Sequence, residues 1–346
     1  MTSSPPPDGL PAGDLEGLVA GLSWRAAHPD DAAAIGALMA RAAEVDDPQE
    51  HYTAEDVADE LAAPWLEPAR DSRIGLDGEG VPRAFATLEL RPGDVDLLRP
   101  NGLGVVDPQV RRRGVGTALL GWQLWRSEQK VRERRAALGT QAPARFLVFQ
   151  EPGNDGVAHL ARRFGLEVLR YFLVMRRPLD GDLPPVRLPD GVVLRDYDAE
   201  PDAVPLLHAH NTAFADHWGF QPWTEETWRQ WEVDHRDFRA DWTLSAVDEA
   251  GGDVLVGYAT AAGYTADWEA TGVREGWTSK VGVLPAHRGR GIATALLAAQ
   301  LHRFAVSGMD VAGLDVDAEN PAGALSLYQR LGYAEVRRNV AWGRWL

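Results

Sequence analysis

Apolar and polar positions along this chain follow two periods, and the order in which those periods change occurs twice. Around Trp24, in LSWRAAHPDD, alternation predicts a short strand. The HPDD stretch reads as a cap, and AAAIGALMARAAE then carries apolar residues at helical spacing. The same succession returns in GVVLRDYDAEPDAVPLLHAHNTAF as strand, acidic turn and helix. Residues 72–91 predict a hairpin around Asp-Gly and Glu-Gly, and residues 243–264 predict another around Gly-Gly. In each half a further strand runs into an Arg- and Gly-rich loop, NGLGVVDPQVRRRGVG and TSKVGVLPAHRGRGIA. Helix, strand, helix and a last strand complete each series.

Aligning Gly114 with Gly291 matches about nine of seventeen residues between 104–120 and 281–297. Val106/Val283, Pro108/Pro285, Arg111/Arg288, Arg113/Arg290 and the Thr-Ala-Leu-Leu run are among them. A repeat of this length is a duplicated domain, not a solenoid unit. RRPLDGDLPPVRLPDG, dense in Pro, Gly and Asp, separates the copies as a linker. The expected organisation is a disordered tail over 1–20, a first domain over 21–178, a linker over 179–191 and a second domain over 192–346. From motif Gly to the later helix-ending Gly (114 to 165, 291 to 332) the first copy is about ten residues longer, around SEQKVRERRAALGTQ.

The 346 residues suit two cores better than one. A net charge of -16 argues against a nucleic-acid partner and favours attraction of cationic substrates. There is no cysteine, which excludes disulfides, thiolate metal sites and cysteine nucleophiles. The start lacks the basic region and apolar stretch of a signal peptide, and no run is apolar enough to span a membrane. The expectation is a cytoplasmic protein with no metal, no nucleic acid and no membrane partner, either a monomer or a homodimer.

The repeated loop carries the chemistry. In VGVLPAHRGRGIATALL a strand ends near Pro285, a small basic loop follows, and a helix begins with Leu296, Leu297, Leu301 and Phe304 at helical spacing. Glycine admits close backbone approach. The free N–H groups of a first helical turn attract an anion, and Arg288 and Arg290 add positive charge. The expected guest is a phosphate or pyrophosphate. Neither copy has the lysine of a Walker A loop or the Gly-x-Gly-x-x-Gly spacing of a dinucleotide fingerprint.

Arg288-x-x-Gly291-x-Ala293 resembles the acyl-CoA pyrophosphate loop of the GNAT superfamily of N-acetyltransferases. VDAENPAGALSLYQRLGYAEV, at 316–336, resembles the second half of that family's cofactor site. The tandem arrangement is similar to the mycothiol synthase group, in which the C-terminal domain is active and the N-terminal one degenerate. The resemblance implies an α/β (α+β) fold of two tandem GNAT-like domains. Each would have a mixed, mostly antiparallel central sheet flanked by helices.

It also implies roles. The backbone of Val281 and Val283 would bind the pantetheine arm of acetyl-CoA, and Arg288, Gly289, Arg290, Gly291, Ala293 and Thr294 would cradle its pyrophosphate. Asn320 would lie near the thioester, and Tyr328 would protonate the departing thiolate, a task that suits a phenol. The family often has an acid on the motif strand; Trp277-Thr278-Ser279-Lys280 has none. The base is therefore Glu275 or a water relay. Asp216, His217 and Trp218, in the Trp-rich stretch 211–231, are candidates for holding the acceptor, with core packing as the alternative. The first domain keeps Arg111, Arg113, Gly114 and Gly116 but has Ala161 where Tyr328 lies, with Asn154 near the place of Asn320. It is expected to be catalytically degenerate, with cofactor binding or a structural role both open. The expected activity is acetyl-CoA-dependent N-acetylation of a small-molecule amine in the C-terminal domain. Alternatives are a non-catalytic acyl-CoA-binding or regulatory protein, or mycothiol synthase acting on a cysteinyl amine.

Overall fold

The computed structural model describes residue 15 and residues 19–46, 51–150, 154–320 and 323–346. The chain forms two units, one of Met1–Arg170 with Asn339–Leu346 and one of Tyr171–Arg338.

In the first unit the elements are β1 (Ser23–Arg25), α1 (Ala32–Asp46), α2 (Ala54–Leu61), α3 (Pro68–Asp71), β2 (Ser72–Leu76), β3 (Pro82–Glu89), β4 (Asn101–Val106), α4 (Val115–Leu138), β5 (Arg145–Gln150) and α5 (Asp155–Arg163). β6 (Glu167–Pro178) then leads into the second unit. There follow β7 (Val192–Asp196), α6 (Ala199–Ala213), α7 (Glu225–Trp228), β8 (Leu244–Asp248), β9 (Val254–Ala262), α8 (Thr265–Thr271), β10 (Glu275–Val283), α9 (Ile292–Val306), β11 (Val311–Asp317), α10 (Ala324–Arg330) and β12 (Ala334–Trp345).

Within the first unit the strands run in the order β1-β2-β3-β4-β5-β12, and within the second β7-β8-β9-β10-β11-β6. In both, one parallel pair, β4 with β5 or β10 with β11, sits among antiparallel neighbours. The last strand of each unit comes from the other half of the chain. Phe172–Pro178 of β6 pairs with Val311–Asp317, and Val340–Trp345 of β12 pairs with Arg145–Gln150. The sequence reading ended the first domain at 178 and began the second at 192. Contacts instead put residues 171–178 in the second unit and 339–346 in the first. A strand's pairing partner is set by register and packing, which periodicity along one segment does not reveal.

Of the tail expected over 1–20, residues 1–14 and 16–18 lie outside the described residues. Leu15 and Val19 are buried with Trp24, Ala84, Val115 and Trp122, so these two residues contribute to a core. The HPDD cap forms as expected: Asp30 N donates to His28 Nδ1, and His28 N donates to the Asp31 carboxylate.

Each sheet is covered on both faces. In the first unit Ile35, Leu38, Val57 and Leu61 pack on Ile74 and Phe85, while Leu120, Leu124 and Ala161 pack on Phe146 opposite. In the second, Leu206, Leu207 and Trp228 pack on Tyr258, while Leu297, Leu301 and Phe304 pack on Ala312 and Leu314. The duplication extends to buried polar groups. Gln123 donates to the Thr87 and Leu103 carbonyls, and Gln300 to those of Ala259 and Thr260. Thr87 donates to Glu60, and Thr260 to Glu232. The surplus in the first copy is helical: α4 has 24 residues and α9 has 15. The longer helix buries Arg126 and Lys130 on the fully buried Asp71.

Candidate active site

β10 pairs with β9 along most of its length but with β11 only over Glu275–Thr278. Beyond Thr278 the parallel strands part and leave a cleft. The β9 register shifts between Thr278 and Lys280, a bulge that puts Ser279 in excess where the strands separate. A cavity of about 550 Å³ opens here, with Thr278–Val283 on one wall and Leu314–Asp317 on the other.

One end of the cavity is the loop before α9. Gly289 and Gly291 hold φ of +75° and +86°, and a Cβ on either would meet nothing within 4 Å. Gly291 is the N-cap of a 15-residue helix and offers no side-chain cap, so the N–H groups of the first turn remain available to an anion. Ala293 and Thr294 line the same end. The open glycines, the uncapped helix start and the cleft volume fit the pyrophosphate and pantetheine of an acyl-CoA.

Arg288 lines the cavity, but its guanidinium has protein partners. It donates to Asp216 Oδ2 at 2.5 Å, to the Ala213 carbonyl at 2.7 Å and to the Val283 carbonyl at 3.3 Å. It therefore clamps the loop to the end of α6, and it holds the Asp216 carboxyl below the ordinary carboxylate range. Arg290 points away, 3.0 Å from His287 Nδ1 and 3.7 Å from Asp248.

At the other end Tyr328 lines the cavity while only 6% exposed. Burial, helped by the Asp315 charge, pushes its phenol well above the ordinary tyrosine value, so it is protonated at any physiological pH. Val281, Val283 and Asn320 also line the cavity. Glu275 does not: Arg176 grips it through two bonds of 2.8 and 2.9 Å, away from the lining residues. Its partner stands on β6, in the other half of the sequence, so the pairing could not be read from the residues around Glu275.

Asp216 and Trp218 do not line the cavity, whereas His217 does, stacked 4.3 Å from Phe214. Of the Phe and Trp residues of 211–231, Trp228 is fully buried, Trp231 is exposed and the others are half-buried. Phe214, Trp223 and Trp228 gather 4.5 to 5.3 Å from the buried His210 ring. His210 Nδ1 lies 2.7 Å from the Tyr258 hydroxyl, and burial pushes its pKa down to about 3, so it stays neutral. Phe172, Lys280 and Asp315 are among the lining residues outside the set expected from the sequence. For Asp315 the signal was present, because Leu314-Asp315-Val316-Asp317 alternates apolar and acidic positions.

The first unit repeats the loop. Gly114 has φ +87°, and Arg112 takes φ +64° where the second unit has Gly289. Arg111 donates to the Val106 carbonyl at 3.0 Å and grips Asp46 at 2.6 and 2.7 Å, reproducing the Arg288 clamp. Asn154 donates to the same Asp46, so its amide is engaged. A methyl at Gly116 would come 3.0 Å from Leu160 Cδ1, so α5 rests on the first turn of α4. Ala161, fully buried, replaces the phenol.

A profile of the Acetyltransferase (GNAT) family matches residues 204–333. The mycothiol acetyltransferase of Tsukamurella paurometabola is 33% identical over 298 residues, which cover 83% of this chain and 93% of that protein. The chain belongs to the GNAT acetyltransferase family. A second GNAT relative, the mycothiol acetyltransferase of Rhodococcus erythropolis, is 30% identical over 247 residues, covering 69% of this chain and 74% of that one. Among solved structures, a GCN5-related N-acetyltransferase from Sphaerobacter thermophilus matches with TM-score 0.72 and 26% identity, covering 94% of this chain and 96% of that one. A tandem GNAT protein from the clavulanic acid biosynthesis pathway shares the fold, with TM-score 0.67 and 19% identity over 94% of this chain and 98% of that one. Among the described residues of this GNAT chain no helix is long and apolar enough to cross a membrane.

Proposed function

We propose that this acetyltransferase transfers the acetyl group of acetyl-CoA to a primary amine of a small molecule, in the cavity of the second unit. With relatives named mycothiol acetyltransferase, a cysteinyl amine is the acceptor to try first. One observation carries the reading: a single cavity joins an uncapped helix start to a protonated phenol. The first-turn N–H groups of α9 would hold the pyrophosphate, with Gly289 and Gly291 allowing close approach. The edge of β10 beyond the bulge offers its main chain to the pantetheine arm, as Val281 and Val283 line the cleft. Arg288 acts as a clamp that sets the loop's position rather than as a direct phosphate ligand. Asn320 contributes to the wall near Tyr328, and Tyr328 supplies the proton that the leaving thiolate takes up.

The first unit serves as a structural lobe. Its Arg111 and Asn154 are both bound to Asp46, Leu160 packs on Gly116, and the acid is missing. Tyr328→Phe tests the reading. Turnover is expected to fall about 100-fold while acetyl-CoA affinity stays within about threefold. Unchanged turnover would remove Tyr328 from the mechanism.

A further inference from the structure

Lysine occurs twice in the chain, at positions 130 and 280. Lys130 is buried in the first unit, where it donates to the Trp65 carbonyl at 3.1 Å and grips the fully buried Asp71. Lys280 stands on β10 directly after the bulge and lines the cavity. Its side chain is 28% exposed, so of the two amines it is the one open to the cleft.

Strand geometry fixes the way it faces. Lys280 pairs with Thr260 on β9, and the Thr260 hydroxyl donates to the buried Glu232. Two residues on, a Cβ at Gly282 would come 2.6 Å from the Tyr258 ring and 3.0 Å from Ala213 of α6. Lys280 and Gly282 therefore face α6 and α7, while Thr278 and Val281 face α9. The Lys280 amine donates to the Ser279 carbonyl at 3.0 Å, lies 4.0 Å from a Glu232 carboxylate oxygen and sits 5.9 Å from the centre of the Trp223 ring. On the cofactor placement proposed above, the pantetheine arm would run back from α9 along Val283 and Val281. The thioester would then come beside Ser279 and Lys280, where β10 and β11 begin to part. Tyr328 lines the same cavity, so an amine, the acyl carbon and an acid for the leaving sulfur would share one space.

We propose that Lys280 is a self-acetylation site: with acetyl-CoA bound and no acceptor in the cleft, the acetyl group passes to the Lys280 amine. This rests on the acetyltransferase function proposed above. The ammonium first loses one proton to water in the cleft. The neutral nitrogen bonds to the thioester carbon, and the carbon–sulfur bond then breaks. Tyr328 gives its proton to the sulfur and regains one from the adduct's nitrogen. The products are an acetamide on Lys280, a free CoA thiol and one proton in solvent. Acetylation removes the charge opposite Glu232. Burial already pushes the Glu232 carboxyl upward, so it takes up a proton when that charge goes. The acetamide is neutral and bulkier than the amine, and it stands on the wall that Phe214 and His217 also line. It narrows the room left for an acceptor, so self-acetylation is a brake that a saturating acceptor prevents.

Purified protein is incubated with acetyl-CoA alone, digested at acidic residues and read by tandem mass spectrometry. An acetyl group is expected on Lys280 and none on Lys130. Its rate of appearance should rise with pH, because only the neutral amine attacks, and fall when excess CoA or a cysteinyl amine is added. Tyr328→Phe should slow it about 100-fold. Lys280→Arg keeps a cation opposite Glu232 and should gain no acetyl group at that position. Preincubation with acetyl-CoA should lower later turnover of a cysteinyl amine at least about fivefold in the wild type, and leave Lys280→Arg at its own starting rate. Unmodified Lys280 in protein that acetylates a cysteinyl amine would overturn the self-acetylation and leave the proposed function standing. Acetylation of Lys280 at one rate in the wild type, Tyr328→Phe and CoA-saturated protein would also overturn it, as the work of free acetyl-CoA from solution. Protein that acetylates neither Lys280 nor any added amine would overturn the function proposed above together with it.

Discussion

Gly291→Asp and its counterpart Gly114→Asp separate a working loop from its inactive copy. Both glycines sit at nearly the same backbone angle, φ +86° and +87°, and neither would place a Cβ within 4 Å of another atom. Aspartate tolerates this left-handed region better than most residues, so each variant should lose no more than about 1 kcal/mol of stability. At Gly291 the new carboxylate faces the position proposed for the pyrophosphate. At a separation of roughly 5 Å and an effective dielectric between that of a protein surface and water, the repulsion is about 1–3 kcal/mol. That corresponds to a loss of acetyl-CoA affinity of about 5- to 150-fold. At Gly114, in the unit proposed to hold no cofactor, no loss is expected. Calorimetric titration with acetyl-CoA, at matched melting temperatures, reads the difference directly. Equal weakening in the two variants would refute the assignment of the first unit as structural, and no weakening in Gly291→Asp would refute the anion site at α9.

Three further outcomes follow from other parts of the chain. Burial pushes the Glu60 carboxyl up to about 7, so its protonated form is favoured in the folded state; its stabilisation is complete below about pH 4.5 and is lost as the pH rises through 7, a decline of at most roughly 3 kcal/mol. Urea unfolding at pH 5 and pH 8 should show that decline reduced in Glu60→Gln, and an identical slope in both proteins would count against it. Asp71→Ala leaves Lys130 buried without its counter-charge and Arg126 with only the half-exposed Glu133, and should destabilise the protein by about 3–5 kcal/mol, measured by denaturant unfolding, with less than about 1 kcal/mol refuting the network's role. A fragment of residues 179–346 lacks the β6 strand that pairs with β11, the cavity residue Phe172 and the Arg176 that neutralises Glu275; it should be unfolded by circular dichroism, whereas residues 171–338 should fold, and a folded, cofactor-binding 179–346 would contradict the strand exchange.

Local pattern carried much of this architecture. The strand at Trp24, the capped helix after it, the two hairpins and the loops before α4 and α9 all follow from spacing and turn residues within short windows. The internal duplication was readable because the loops kept their Arg and Gly positions. Partners distant in sequence were not readable. Nothing near Glu275 announces Arg176, 99 residues away, and nothing near β11 announces β6 as its neighbour. The Trp-rich segment misleads for a related reason. Tryptophan at helical spacing serves a core as well as a ligand wall, and here His210 gathers several of these rings inward. Arg288 shows the limit of motif reading: its position matches a phosphate loop, yet its side chain braces the loop while the backbone faces the cavity.

The most direct measurement is the mass-spectrometric assay of the purified protein with acetyl-CoA and a compound carrying a cysteinyl amine. Time-dependent appearance of the N-acetylated amine, with one CoA thiol released per acetyl group transferred, is the predicted result. Acetyl-CoA bound at the second unit with no acetyl group reaching this or any other primary amine would contradict the account, leaving a cofactor-binding protein where an enzyme is claimed.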